Sequence, residues 1–258
     1  MLYASLTCLP TRIDNIKYVL ESIENQTLQP DFIIIHYPKK CIRLGIEYNI
    51  EEFRSKISTS SLMPKIILNE TVDYGPITKI YPLVHMQNLK DDDIIIVIDD
   101  DVFYNRLLFQ ALHQHFIMTN KKKSICISGL LYPTELNSRY NCVCPGGKCS
   151  LMEAAFGYII EKSFIQPDLS NWVITAETVD EVEQQNFMNS FLSDDYVISR
   201  YFDVKNIEKQ VLFFTPHINK MNTMCDSECK STNALSGLEL NLNKYVRAEQ
   251  ELTSRHLV

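Results

Sequence analysis

The 258-residue sequence has no long run of apolar residues, and it therefore predicts no membrane-spanning helix. The longest such run, Ile94 to Ile98, is far too short to cross a bilayer. Residues 1–10 contain neither a basic segment nor a long apolar stretch, so they do not resemble a signal peptide. We therefore expect a cytoplasmic protein.

The sequence also lacks excess positive charge. Its formal net charge is -7 and its isoelectric point is about 5.4, so electrostatics argue against nucleic acid as a partner. The hydrophobic share of 45% and the charged share of 22% are typical of a globular protein and exclude a disordered or fibrous one. No internal repeat or linker divides the chain, so we expect residues 1–258 to form a single domain.

Apolar segments with the pattern of strands alternate with segments of helical periodicity. This order predicts an α/β, Rossmann-like fold: a mostly parallel central sheet, flanking helices and an elaborated C-terminal half. Ligands of such sheets bind beyond the carboxyl ends of the strands. Predicted strands cover residues 2–8, 32–37, 65–68, 93–98, 124–128 and 211–214, and predicted helices cover residues 13–24, 77–88, 107–118, 193–201 and 243–252.

Three carboxylates, Asp99, Asp100 and Asp101, directly follow the most apolar strand. Like charges at such close spacing raise one another's pKa unless a cation neutralises them, and Mg²⁺ and Mn²⁺ prefer carboxylate oxygens. The alternative is a solvated turn that ends the strand. Because the triplet lies where ligands bind, we interpret it as a metal and phosphate site. Residues 91–93, a second aspartate triplet at the opposite end of the strand, are expected to form a solvated turn.

Two other segments carry charged groups at the start of a predicted helix. Asp194 and Asp195 follow Ser193 at the start of a predicted helix, where a carboxylate serves either as a cap or as a general base. Residues 73–79 contain a Gly-Pro turn that begins a helix and place Lys79 one turn later. A helix N-terminus and a lysine favour an anion such as a diphosphate.

Five of the eight cysteines form two clusters in polar loops. If the clusters meet, four thiolates can bind zinc tetrahedrally; disulfides or free thiols are the alternatives. The clustered residues are Cys142, Cys144, Cys149, Cys225 and Cys229.

Together these segments resemble a family of GT-A fold glycosyltransferases that occurs in algae, microbes and large DNA viruses. Residues 7–12 resemble its "T-x-x-P-x-R" loop, and residues 73–79 its "DYGPxTK" segment. Residues 96–103 resemble "IxIDDDVxY", which contains the DXD motif. Residues 153–160 resemble "EGFxGxxY", and residues 193–201 resemble "xDDxxxSxY". The segments occur in the family's order.

The resemblance implies a nucleotide-sugar-binding half, about residues 1–128, and an acceptor-binding half, about residues 129–258. It implies Asp195 as the catalytic base, with Asp194 as the second candidate. Asp101, Asp99 and His217 would hold Mn²⁺ or Mg²⁺, and Glu153 and Gly157 would shape the acceptor pocket. The residues that it implies for the nucleotide sugar are Thr7, Pro10, Arg12, Asp73, Lys79, Asp99 and Asp100.

The function expected from the resemblance is metal-dependent transfer of a sugar, with inversion, from a nucleotide diphosphate to a hydroxyl. A UDP-sugar is the favoured donor, and the acceptor is a glycan, a protein or a small molecule. Ala154 and Ala155 depart from the family, which has glycine there. The abundance of Ile, Asn and Lys is typical of an AT-rich genome and suggests a viral protein in the host cell or virion.

Two alternatives remain. A sugar-phosphate nucleotidyltransferase uses similar folds and metals, but it typically has a glycine-rich loop after the first strand, and residues 9–12 contain no glycine. A zinc-stabilised carbohydrate-binding module would depend on the cysteines and not on the aspartates.

Overall fold

The computed structural model describes residues 1–58, 60–132, 141–174, 188–213, 222–223 and 244–257. Its strands are β1 (Leu2–Thr7), β2 (Phe32–Pro38), β3 (Lys40–Cys41), β4 (Ile46–Glu47), β5 (Ile66–Thr71), β6 (Ile94–Val97), β7 (Val102–Phe103), β8 (Lys123–Cys126), β9 (Gly129–Leu131), β10 (Asn141–Cys142), β11 (Leu151–Met152), β12 (Tyr158–Glu161), β13 (Glu208–Val211) and β14 (Asn222–Thr223). Its α-helices are α1 (Ile16–Glu24), α2 (Ile50–Ile57), α3 (Leu108–Met118), α4 (Met188–Phe191), α5 (Asp194–Val204) and α6 (Lys244–Ser254).

Seven strands form the central sheet in the order β5-β2-β1-β6-β12-β8-β13. Every neighbouring pair is parallel except the two that involve β12, which runs antiparallel to β6 and β8. The isoleucines of β2 and β6 are buried, as expected for strands covered on both faces. The predicted α/β, Rossmann-like fold class is therefore confirmed. No helix within the described residues is long and apolar enough to span a membrane.

The predicted helix over residues 77–88 is wrong. Two short 3-10 turns, Gly75–Lys79 and Tyr81–His85, occupy most of this range. Pro82 has no N–H to donate to the carbonyl of Thr78, and its ring would clash with that carbonyl in an α-helix. The break at Ile80 (φ -131°, ψ -43°) turns the chain so that Lys79 is buried.

The last strand of the sheet is β13, three residues earlier than the strand predicted at residues 211–214. The polar sequence of β13 does not show the apolar pattern of a buried strand. Lys209 is nevertheless buried, because its charge is paired. The Lys209 ammonium donates to the Ser199 carbonyl at 2.8 Å and forms an ion pair with Asp203. Helix α2, which the apolar pattern did not indicate, is capped at its N-terminus by Asn49, whose side chain accepts the Glu52 N–H.

The aspartates before β6 do not all form a solvated turn. Asp91 and Asp92 are exposed, but Asp93 is buried. Its two carboxylate oxygens accept hydrogen bonds from the Lys90 N–H and from the amino group of Met1. Asp93 therefore has a structural role at the end of the strand away from the cavity described below.

Candidate active site

A cavity of about 410 Å³ lies beyond the carboxyl ends of β1, β2, β5 and β6, where the sheet topology predicts a ligand. The residues that follow these strands supply most of its wall, and the start of α5 closes it from the C-terminal half of the chain. Nine residues predicted from sequence line it: Thr7, Arg12, Asp73, Lys79, Asp99, Asp100, Asp101, Asp194 and Asp195.

Arg12 connects the loop after β1 to the aspartate triplet after β6. Its Nη1 lies 2.9 Å from Asp100 Oδ1 and 2.9 Å from Asp101 Oδ2. The backbone N–H of Leu9 donates to the other oxygen of Asp100 at 2.8 Å. Asp100 therefore holds the loop in place, and Arg12 neutralises part of the charge of the triplet.

Lys79 connects the triplet to helix α5. Its ammonium lies 2.6 Å from Asp99 Oδ1 and 2.8 Å from Asp194 Oδ2, and its side chain is only 4% exposed. A buried charge needs such partners, because an unpaired ammonium would lose its hydration without compensation. Two carboxylates that are far apart in sequence are thereby fixed around one cation.

Asp195 lies in the first turn of α5, and its Oδ1 accepts the Ala154 N–H at 2.9 Å. Its Oδ2 has no hydrogen-bond partner within the described part of the chain. Burial raises the pKa of Asp195, and the negative charge of Asp194 raises it further, while Lys79 opposes both effects. A carboxylate with a raised pKa and an open oxygen is suited to accept a proton.

Asp73 is held by the backbone on both of its oxygens. Oδ2 accepts the Ile42 N–H at 2.7 Å, and Oδ1 accepts the Gly75 N–H at 2.8 Å. Burial raises the pKa of Asp73. These contacts fix the loop after β3 against the turn that begins at Gly75, so they shape the cavity wall.

Three predicted residues do not line the cavity. Pro10 is the first residue of the 3-10 turn Pro10–Asn15, where its fixed φ suits the turn. Glu153 accepts a hydrogen bond from the Ser128 hydroxyl. Gly157 has a φ of +88°, which favours glycine, at the turn before β12. His217 lies outside the described residues.

The cysteines give no support for one metal site. Cys225, Cys229 and the side chain of Cys142 lie outside the described part of the structure. Cys144 is exposed, whereas Cys149 is buried with its sulfur 3.7 Å from that of Cys126. Among the described residues, no three His, Cys, Asp or Glu side chains are grouped to hold a metal. Zinc binding by the clustered cysteines stays a prediction, because three of the five side chains lie outside the described structure.

The charges of the cavity wall suit a divalent cation. Six aspartates line it, against the basic groups of Arg12, Arg43 and Lys79. Burial raises the pKa of Asp101 to about 7, and Asp100 and Asp99 contribute to the rise. Although no three of the described side chains are grouped to hold a metal by themselves, the donor set fits Mg²⁺ or Mn²⁺, which one or two carboxylates hold together with substrate phosphates. Asp99 and Asp101 are the residues that fit this role.

Arg43 and Tyr48 also line the cavity, although no sequence motif singled them out. The Tyr48 hydroxyl donates to the Cys8 carbonyl at 2.5 Å and so supports the loop after β1. Both residues follow β2, so the rule that ligands bind beyond the carboxyl ends of strands could have indicated them. The short strands conceal this relationship, because β3 lies between β2 and Arg43, and both β3 and β4 lie between β2 and Tyr48.

No protein-family model and no curated protein matches the sequence. Among solved structures, a 4-diphosphocytidyl-2C-methyl-D-erythritol synthase has 11% identity and a TM-score of 0.50, over 85% of this chain and 91% of that one. The Francisella tularensis 2-C-methyl-D-erythritol 4-phosphate cytidylyltransferase has 12% identity and a TM-score of 0.46, over 86% and 94%. S. aureus TarS 1-349 in complex with UDP has 12% identity and a TM-score of 0.43, over 83% and 58%.

At 11% identity, the similarity to the synthase shows the fold alone. The chain has an α/β fold of the kind seen in that synthase, over most of the length of both proteins. Any conclusion about the reaction must come from the side chains of the cavity.

Proposed function

We propose that the protein is a metal-dependent glycosyltransferase that moves a sugar from a nucleotide diphosphate to an acceptor hydroxyl, with inversion at the anomeric carbon. Lys79 forms one ion pair with Asp99 and another with Asp194, so two acidic motifs lie together in one cavity. This arrangement is the strongest support for the proposal. One motif has the chemistry of a donor site, and the other offers a base.

Asp195 is the better candidate for the base because Asp194 already pairs with Lys79. In the proposed step, the free Oδ2 of Asp195 takes the proton of the acceptor hydroxyl while the oxygen of that hydroxyl forms a bond to the anomeric carbon. The bond between that carbon and the diphosphate oxygen breaks, and the nucleoside diphosphate leaves with the bonding electrons. A single displacement of this kind inverts the configuration.

Asp99 and Asp101 would hold Mn²⁺ or Mg²⁺, which would neutralise negative charge on the leaving diphosphate. Asp100 and Arg12 would position these carboxylates, since they fix the loop after β1 to the triplet. The apolar groups of Ala155, Phe191 and Leu192 line the same cavity near α5 and offer a surface for a sugar ring.

The open carboxylate of Asp195 favours glycosyl transfer over nucleotidyl transfer. A sugar phosphate attacks a nucleotide through an oxygen that is already ionised, so it needs no base, whereas a sugar hydroxyl does. The described residues of the cavity also offer few basic groups to a nucleoside triphosphate, because Arg12 and Lys79 are each paired with two aspartates.

The first test is a donor screen with UDP-, GDP- and dTDP-sugars, with and without Mn²⁺, that measures release of nucleoside diphosphate. We expect Mn²⁺-dependent release from one donor, with a UDP-sugar favoured. A parallel assay supplies CTP or UTP with sugar phosphates and measures pyrophosphate. Pyrophosphate release without any sugar-donor turnover would replace this proposal with nucleotidyl transfer.

The second test is the base itself. Asp195→Asn should lower the transfer rate by about 10²- to 10⁴-fold and leave Mn²⁺-dependent donor binding intact. Asp92→Asn, an exposed carboxylate outside the cavity, is the matched control and should keep full activity. Wild-type activity in Asp195→Asn would remove Asp195 from the mechanism.

A further inference from the structure

Among the described residues of the cavity wall, Arg43 differs from the other basic groups because its guanidinium is not ion-paired. It lines the cavity and is partly buried in the loop after β3. Within the described residues its guanidinium forms no hydrogen bond and no ion pair. Arg12 and Lys79, by contrast, each contact two aspartates.

An unpaired guanidinium in a partly buried position is costly, because it loses water without gaining a partner. Burial lowers the pKa of Arg43 and the positive charge of Arg12 lowers it further, while the more distant charges of Asp100 and Asp73 only partly oppose this fall. An anion that contacts Arg43 on the cavity side would relieve both effects. Within the described part of the wall, one cation is thus available to a ligand at the side formed by the loops after β1 and β2.

The other groups at this side make a phosphate the best match. The loop after β1 is fixed by Asp100 and by Tyr48, so it keeps Arg12 turned toward the triplet. The planar guanidinium of Arg43 can donate two parallel hydrogen bonds to a phosphate, which a lysine cannot. In a donor of the proposed class, the diphosphate bears the fixed negative charge.

We propose that Arg43 binds a phosphate of the nucleotide diphosphate donor, and that among the described residues it is the main cation available to that group. This inference rests on the proposed function for the identity of the ligand. It assigns a donor-binding role to a residue outside every motif of the sequence.

Binding measurements with UDP, inorganic pyrophosphate and uridine, each with Mn²⁺, test the role. Arg43→Gln should weaken binding of UDP and of pyrophosphate by about 10- to 100-fold, since one charge-assisted contact is lost. Uridine, which has no phosphate, should bind the variant and the wild type equally. Arg43→Lys should recover only part of the affinity, because it keeps the charge and loses the planar fork.

Arg54→Gln is the matched control, since Arg54 is an exposed arginine of α2 that pairs with Glu51. It should bind all three probes as the wild type does. The unfolding temperature of Arg43→Gln should equal or exceed that of the wild type, because no partner in the described structure is lost. A marked drop in that temperature would make Arg43 a structural group and overturn the inference.

The outcomes separate this inference from the proposed function. If Arg43→Gln binds UDP and pyrophosphate as the wild type does, the inference fails while the transferase proposal stands. Equal losses for UDP and uridine would also overturn it, because the contact would then be to the nucleoside. If the wild type binds pyrophosphate but no UDP, and Arg43→Gln loses pyrophosphate, the anion site stands and the preference for a UDP-sugar donor fails. If the wild type binds neither UDP nor pyrophosphate, the inference fails, and the donor screen alone decides the transferase proposal.

Discussion

The ammonium of Lys79 lies 2.6 Å from the carboxylate of Asp99, at the base of the cavity. This pair joins the end of strand β6 to the turn that begins at Gly75. Because Lys79 also contacts Asp194, the same cation ties helix α5 to the sheet. The positions of Asp99 and Asp194 in the cavity therefore depend on one buried lysine.

Replacing Lys79 with Met should destabilise the fold by about 3–5 kcal/mol, since it leaves two carboxylates close together without their cation. Chemical denaturation measures the change. Lys39→Met is the matched control, because the Lys39 side chain is 82% exposed and its pair with Glu70 should contribute no more than about 1 kcal/mol. Equal stabilities for the two variants would mean that Lys79 has no organising role.

The contribution of Asp101 to the stability of the metal-free protein should fall as the pH rises from about 4 to 7. Burial and the adjacent aspartates raise the pKa of Asp101 to about 7, so the folded state holds this proton more tightly than the unfolded state. Its contribution is complete below the unfolded pKa and is lost as the pH passes the folded pKa. Asp101→Asn should lack this part of the slope, and urea denaturation at pH 5 and pH 8 compares the two proteins.

Mn²⁺ should reverse the loss at pH 8. At 100 times its dissociation constant, a ligand of the folded state adds about 2.7 kcal/mol. The wild type and Asp92→Asn should both gain this stability, and Asp101→Asn should not. An equal gain in Asp101→Asn would place the metal elsewhere.

Gly75→Ala should destabilise the protein more than Gly45→Ala. Both glycines have a positive φ, +72° and +67°, so both substitutions carry a backbone cost of about 1 kcal/mol. At position 75 the added carbon would also lie 2.6 Å from the Phe191 carbonyl oxygen, whereas nothing lies within 4 Å at position 45. Thermal unfolding should show an excess of about 1–3 kcal/mol for Gly75→Ala; similar values would mean that Phe191 moves freely.

Two buried tyrosines should respond differently to the loss of their hydroxyls. The Tyr104 hydroxyl accepts the Asp99 N–H at 2.8 Å, so Tyr104→Phe should cost about 1–3 kcal/mol in stability. The buried Tyr158 hydroxyl has no hydrogen-bond partner within the described residues. Tyr158→Phe should therefore leave the free energy of unfolding unchanged or raise it slightly. A large loss in Tyr158→Phe, measured by denaturation, would contradict this difference.

The apolar pattern predicted the sheet well where strands are buried on both faces, as in β2 and β6. It failed at β13, because Lys209 is buried through contacts that no local pattern shows. The triplet at Asp99 was predicted because it ends an apolar strand next to the expected ligand site. The role proposed for Arg43 was not predicted from the sequence. It depends on the lack of a partner among the described residues, which only the tertiary structure reveals.

Strand β12 has a consequence for synthesis of the chain. It lies between β6 and β8, although it follows both in sequence by more than thirty residues. On the ribosome, β6 and β8 therefore emerge with facing edges that cannot pair until Glu161 is made. Exposed strand edges invite pairing with other chains. Translation speed between Cys126 and Tyr158 should thus govern how much nascent protein aggregates.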